Sequence, residues 1–140
     1  MIKVIYEGNI AGSFRGFARE QLFKLANGTY WIQAQYEYWY HYEYRPAVVL
    51  AEEGGKVILT VANHSIPVRR VSEVIESNIA GEFKGWDGKS TYRLANGQVW
   101  QQTTYKYEYK YAYNPEVLIY SISGSYKMRV EDTEAEVRRA

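Results

Sequence analysis

YEYWYHYEY, residues Tyr36 to Tyr44, sets a tyrosine at every second position from end to end, and YKYEYKYAY, Tyr105 to Tyr113, does the same. Side chains on one face of a β-strand recur every two residues, whereas those on one face of a helix recur about every 3.6. The two stretches therefore read as strands, and their separation of 69 residues points to a duplication.

The rest of the chain repeats at that interval. GNIAGSFRGF, Gly8 to Phe17, matches SNIAGEFKGW, Ser77 to Trp86; LANGTYWIQ from Leu25 matches LANGQVWQQ from Leu94; YRPAVVL from Tyr44 matches YNPEVLI from Tyr113. Sliding the chain over itself by 69 positions gives 25 identities without a gap. The boundaries this sets are 1–69 and 70–140. A unit of this size buries only roughly 60% of its unfolded surface and is marginal alone, so two together are favoured. VRRVSEVIES, Val68 to Ser77, holds neither Gly nor Pro. The last strand of copy one is expected to run directly into the first of copy two, making a rigid junction.

Turn residues punctuate each copy. Asn27-Gly28 and Asn96-Gly97 predict tight hairpin turns, because Asn-Gly tolerates the positive φ such turns need, so a strand ending at Leu25 folds back on one starting near Tyr30. Ala47 to Val61 and Glu116 to Val130 read as further hairpins turning at Gly55 and Gly124, and Asp87-Gly88 adds a turn in copy two alone. Gly12 and Gly16 flank Phe14 on one strand face, which predicts a kink or a close backbone approach. Five or six short strands per copy predict an all-β chain of two tandem SH3-like small β-barrel repeats.

The parity of the aromatic residues sets a puzzle. Trp31 and Gln33, kept as Trp100 and Gln102, occupy odd positions in copy one, whereas Tyr36 to Tyr44 are even. A bulge or bend near Ala34-Gln35 and Thr103-Thr104 is predicted to reset the alternation. The tyrosine rings are then expected to line the core, with Glu37, His41 and Glu43, or Lys106, Glu108 and Lys110, in water. The competing reading leaves part of each ladder open as a platform for bases, sugars or a proline-rich peptide, or as a subunit interface. On that reading the contact residues are Tyr36, Tyr38, Tyr40 and an outward-facing Trp39 in copy one, and Tyr105, Tyr107, Tyr109, Gln101 and Gln102 in copy two. Arg69, Arg70, Arg138 and Arg139 are expected to meet Glu7 and Glu76 in ion pairs between first and last strands.

Composition narrows the function. With 17 Lys and Arg against 16 Asp and Glu the chain is nearly neutral, so nucleic acid is not the expected partner. There is no cysteine, which excludes thiolate chemistry and disulfides. MIKVIYEGNIAG lacks the apolar core of a signal peptide, and no run approaches about 18 apolar residues, so a cytoplasmic setting without membrane contact is expected. His41 corresponds to Lys110 and His64 to Thr133, so neither histidine is duplicated, and no Ser-His-Asp order, HExxH or P-loop is present. No catalytic residue, metal site or cofactor is predicted.

F-x-G-W, L-A-N-G-Q-x-W-x-Q and Y-x-Y-x-Y-x-Y-x-P-x-V-x-I, carried by Phe83 to Trp86, Leu94 to Gln102 and Tyr105 to Ile119, resemble a small tyrosine-rich β domain that recurs in uncharacterised bacterial proteins. Copy one departs at Phe17, Thr29 and Ile32. The resemblance implies a bacterial origin and a β-rich fold and no activity. The reading is a non-catalytic binding or scaffolding module whose partner is a protein, a peptide or a second copy of the chain. The alternatives are a purely structural duplication with a tyrosine-lined core and a homodimer interface, and an enzyme with scattered site residues.

Overall fold

The computed structural model describes residues 2–122 and 124–140. It is all-β and antiparallel, and among the described residues no helix is long and apolar enough to cross a membrane. The chain divides into two compact units, Met1–Val71 and Ser72–Ala140.

In the first unit the strands are β1 (Ile2–Asn9), β2 (Ser13–Phe17), β3 (Leu22–Lys24), β4 (Tyr30–Gln33), β5 (Trp39–Tyr44), β6 (Ala47–Glu53), β7 (Lys56–Val61) and the opening part of β8 (His64–Asn78). Their pairing order is β1-β6-β7-β8-β4-β3, while β2 and β5 form a separate ribbon. Residues 72–78 of β8 belong to the second unit. There they are followed by β9 (Glu82–Phe83), β10 (Trp86–Asp87), β11 (Thr91–Arg93), β12 (Val99–Gln102), β13 (Tyr107–Glu108), β14 (Ala112–Tyr113), β15 (Glu116–Ile122), β16 (Ser125–Val130) and β17 (Thr133–Arg139). The order is β8-β15-β16-β17-β12-β11, with β10-β13 and β14-β9 as short ribbons.

Among the described residues the strand ladders do not close into the barrel that the strand count predicts. The ends of each path meet at one isolated bridge, Ile10 with Leu25 and Ile79 with Leu94. The cause is an abrupt change of partner. The Ile10 amide still donates to Pro46 O, at 2.9 Å, whereas the next amide, Ala11, donates to Lys24 O at 2.8 Å. The chain then bends at Gly12, whose φ of 77° ends the ladder.

The Asn-Gly turns join antiparallel neighbours, β3 to β4 and β11 to β12, as expected. Only Gly28 and Gly97 take positive φ, while the Asn27 side chain accepts the Thr29 amide at 3.0 Å and Asn96 accepts Gln98 at 2.9 Å. Leu25 N donates to Thr29 O, which makes a three-residue loop with Gly at its left-handed position. The β6–β7 hairpin turns at Gly54 and Gly55.

Each unit has its own core. Ile10, Phe14, Phe17, Phe23, Leu25, Trp31, Val48, Leu50, Leu59, Val61, Ile66 and Val68 fill the first. Ile79, Phe83, Trp86, Tyr92, Leu94, Trp100, Val117, Ile119, Met128, Val130, Ala135 and Val137 fill the second. Every member of the second set lies 69 positions beyond a member of the first, and no ladder tyrosine belongs to either.

Candidate functional site

The tyrosine ladders begin where β4 and β12 end. Gln33 and Gln102, each 3% exposed, sit at those ends and direct their amides at backbone groups. Gln33 Oε1 accepts the Ala18 amide at 3.0 Å, and its Nε2 donates to Ala18 O, to Gln35 O at 2.8 Å and to Glu37 O at 3.1 Å. Gln102 Oε1 accepts from Asp87 N and Gly88 N at 3.1 and 2.9 Å, and Nε2 donates to Thr104 O and Lys106 O, both at 3.0 Å. A buried amide satisfied in this way clamps the chain beyond it. The predicted bulge is thus a break in the strand, with residues 34–38 and 103–106 outside any strand.

The break leaves parity unchanged. Trp31 and Trp39, both odd, turn toward the first core, and the even tyrosines turn away from it. Tyr36, Tyr38, Tyr40, Tyr42 and Tyr44 are 53% to 70% exposed, and Tyr105, Tyr107, Tyr109, Tyr111 and Tyr113 are 52% to 87% exposed. The expectation that these rings line the core is therefore overturned. The core sets are already filled, and the retained glycines bring backbones too close for another layer. A Cβ on Gly16 would lie 1.9 Å from Trp39 O, and one on Gly85 would lie 2.0 Å from Glu108 O. The close approach predicted for Gly16 is thus observed.

Of the interleaved residues expected in water, Glu37, Glu43 and Glu108 are exposed, whereas His41, Lys106 and Lys110 are half-buried, as is Trp39. Trp39 packs on Phe17 with ring centroids 5.1 Å apart and stacks on His64 at 3.8 Å and on His41 at 5.0 Å. It is a partly buried extension of the core and not an outward anchor. His41 Nε2 also lies 3.0 Å from Glu43 Oε1. At the matching positions of the second unit there is a polar network. Trp86 Nε1 donates to Thr133 Oγ1 at 2.8 Å, and Thr133 donates onward to Glu108 Oε1 at 3.0 Å. Lys106 Nζ donates to Glu134 O at 2.6 Å, and Lys110 Nζ lies 2.5 Å from Asp132 Oδ1. Their hydrogen bond raises the Lys110 pKa and lowers that of Asp132.

The outer face carries different charges in the two units. In the first, the Arg15 guanidinium lies over the Tyr42 ring at 5.4 Å and Arg19 over Tyr36 at 5.6 Å. In the second, Tyr111 donates its hydroxyl hydrogen bond to Glu82 Oε1 at 3.4 Å, and its pKa is raised chiefly by the charge of Glu82.

Of the residues singled out from sequence, six tyrosines are on the surface and three residues are not with them. Gln102 is buried, Trp39 faces inward, and Gln101 accepts a hydrogen bond from Arg138 Nη2 at 3.1 Å. β17, which carries Arg138, pairs with β16 and β12, whereas β8, which carries Glu76, pairs with β15. Arg15, Arg19 and Glu82 escaped the sequence reading. Arg15 and Glu82 lie on the ribbon partners β2 and β9, and Arg19 just beyond β2, and no local pattern shows the register of these ribbons against the ladder. Among the described residues no group of three or more His, Asp or Glu is placed to hold a metal. No family model, curated protein or solved structure matches the chain.

Proposed function

We propose that the chain is a non-catalytic binding or scaffolding module whose contact surface is the tyrosine ladder of each unit. One observation carries the reading. At all five outward positions the two copies keep tyrosine, while at all four interleaved positions, Glu37/Lys106, Trp39/Glu108, His41/Lys110 and Glu43/Ala112, they differ. Divergence ordinarily concentrates on surfaces and retention in cores. Here the retained set is the exposed one. Packing alone gives no reason to keep ten exposed rings, whereas recognition does, since tyrosine offers a rigid apolar face and a hydroxyl at little entropic cost.

Rings two residues apart on a strand face are about 6.6 Å apart, a spacing suited to stacking sugars, unpaired bases or proline rings. The net charge of +1 speaks against a polyanion and leaves a peptide or protein as the favoured partner. Two SH3-like repeats of bacterial origin working in the cytoplasm complete the proposal. The shared six-strand order and the bridges Ile10–Leu25 and Ile79–Leu94 support the repeated plan alone.

The test is an amide-resolved NMR titration against pools of proline-rich peptides, glycans and single-stranded oligonucleotides. Saturable shifts along 36–44 or 105–113, lost in Tyr107→Ala/Tyr109→Ala with the fold intact, are expected. Unchanged spectra in every pool, together with a stable dimer by light scattering, would replace the proposal with a homodimer interface.

A further inference from the structure

Tyr42 and Tyr111 occupy the same position in the two copies, and both rings are about half exposed. Their electrostatic settings are opposite. Tyr42 has the Arg15 guanidinium over its ring at 5.4 Å. Tyr111 points its hydroxyl at Glu82 Oε1, 3.4 Å away, while Lys84 takes the other carboxylate oxygen at 3.7 Å.

This difference bears on one reaction, removal of an electron from the phenol. A cation over the ring opposes the loss of an electron by simple Coulomb repulsion. A carboxylate at the hydroxyl favours it, because the phenolic proton must leave as the electron does and a positioned base receives it. Position 42 is thus protected and position 111 activated. Tyr111 also has its coupling partners at hand, with Tyr109 and Tyr113 two residues away on either side, both exposed. Tyr109 and Tyr113 each add, after Glu82, to raising the Tyr111 pKa.

We propose that Tyr111, with Glu82 as its proton acceptor and Tyr109 or Tyr113 as its partner, is a site of oxidative tyrosine coupling. The co-reactant is a haem peroxidase with hydrogen peroxide. Each of two tyrosines gives up one electron and its phenolic proton, that of Tyr111 passing to Glu82 and then to water. The two phenoxyl radicals join through a ring carbon ortho to each oxygen, forming one C–C bond. The hydrogen on each joined carbon moves to its oxygen and restores both phenols. Hydrogen peroxide takes up the two electrons and two protons and leaves as two waters. The product is a dityrosine staple along the second ladder. This site stands independently of the binding role.

The experiment treats dilute intact protein with a haem peroxidase and limiting peroxide, follows dityrosine fluorescence, and maps the products by mass spectrometry. Trypsin cleavage after Lys110 separates Tyr109 from Tyr111, so a link between them joins two peptides that are otherwise released apart. The expected result is intramolecular coupling concentrated at Tyr111, most of it lost in Tyr111→Phe and slowed in Glu82→Gln. Moving the second unit's charges to the first with Ser13→Glu and Arg15→Lys is expected to bring coupling to Tyr42. Equal coupling in both ladders of the wild type, or an unchanged yield in Tyr111→Phe, would overturn the proposal. Circular dichroism of each variant confirms that the fold is kept.

Discussion

The two units share their core positions one for one, yet beneath their tyrosine ladders they are built from different chemistry. The first places Phe17, Trp39 and His64 there; the second places Trp86, Glu108 and Thr133 at the same positions. The indole has in effect moved from the ladder strand to the ribbon strand facing it. In the first unit the space is closed by stacked rings, which need no hydrogen-bond partner beyond their edges. In the second, the buried Thr133 hydroxyl both accepts from Trp86 and donates to Glu108, so every member of the set is satisfied. Either solution works as a whole. A mixture of the two would leave a cavity or an orphaned polar group, which explains why the three positions differ together.

The comparison can be broken most severely at the feature the units hold in common. Gly16→Ala and Gly85→Ala each force a Cβ into a carbonyl oxygen at a φ of 94° or 97°. Each is expected to cost about 3 kcal/mol or more, read from denaturant unfolding. Tolerance of one and not the other would show that the two frameworks are less alike than their cores. Next in size are the glutamine clamps. Gln33→Ala and Gln102→Ala leave several backbone groups without their partners and are expected to cost about 2 to 3 kcal/mol. Amide exchange should quicken at 34–38 in the first variant and at 103–106 in the second, each in its own unit.

The exchanged indoles are open to a mutant cycle. Trp86→Phe removes the donor to Thr133 and is expected to cost about 2 kcal/mol, while the triple change Trp86→Phe, Glu108→Trp and Thr133→His recovers at least about 1 kcal/mol of the summed single costs. Additivity across that cycle would deny that the three positions form one set.

Smaller still are effects of pH confined to the second unit. Burial pushes the Tyr92 phenol up to about 12, and its hydroxyl donates to Gly85 O at 2.9 Å; the first unit has Phe23 there. The pKa is raised on folding, so this stability is complete below the unfolded value of about 10 and is lost as pH rises toward the folded one. Wild-type protein should therefore lose unfolding midpoint between pH 10 and about 12 relative to Tyr92→Phe. Asp87 acts at the other end of the scale and more weakly. The Ser90 hydroxyl and the Lys89 and Ser90 amides hold its carboxylate below the usual range, and the first unit has Ala18 in its place. A depressed carboxylate contributes above its unfolded pKa and loses that contribution as pH falls through the folded one. Loosening of the loop at 87–90 in acid, with no counterpart at 18–21, is the NMR signature to seek.

The sequence by itself determined a good deal. The period of two in the ladders, the glycines at 16, 28 and 55 with their partners at 85, 97 and 124, and the gapless offset of 69 dictate strands, turns and a doubled plan. These are local matters, set by φ preferences and by which residues share a strand face, and so they are legible one segment at a time. What it did not determine was which face of the ladder meets the core. Alternation offers two faces, and hydrophobicity alone assigns the tyrosines inward. Only the tertiary structure shows that Phe14, Leu25, Leu50, Leu59 and their neighbours fill the first interior without them, and that Gly16 draws β2 against β5 too closely to admit a ring. A close-packed core accepts a fixed volume, and that limit is a property of all the elements together. The surplus rings are left on the outside, available to a partner.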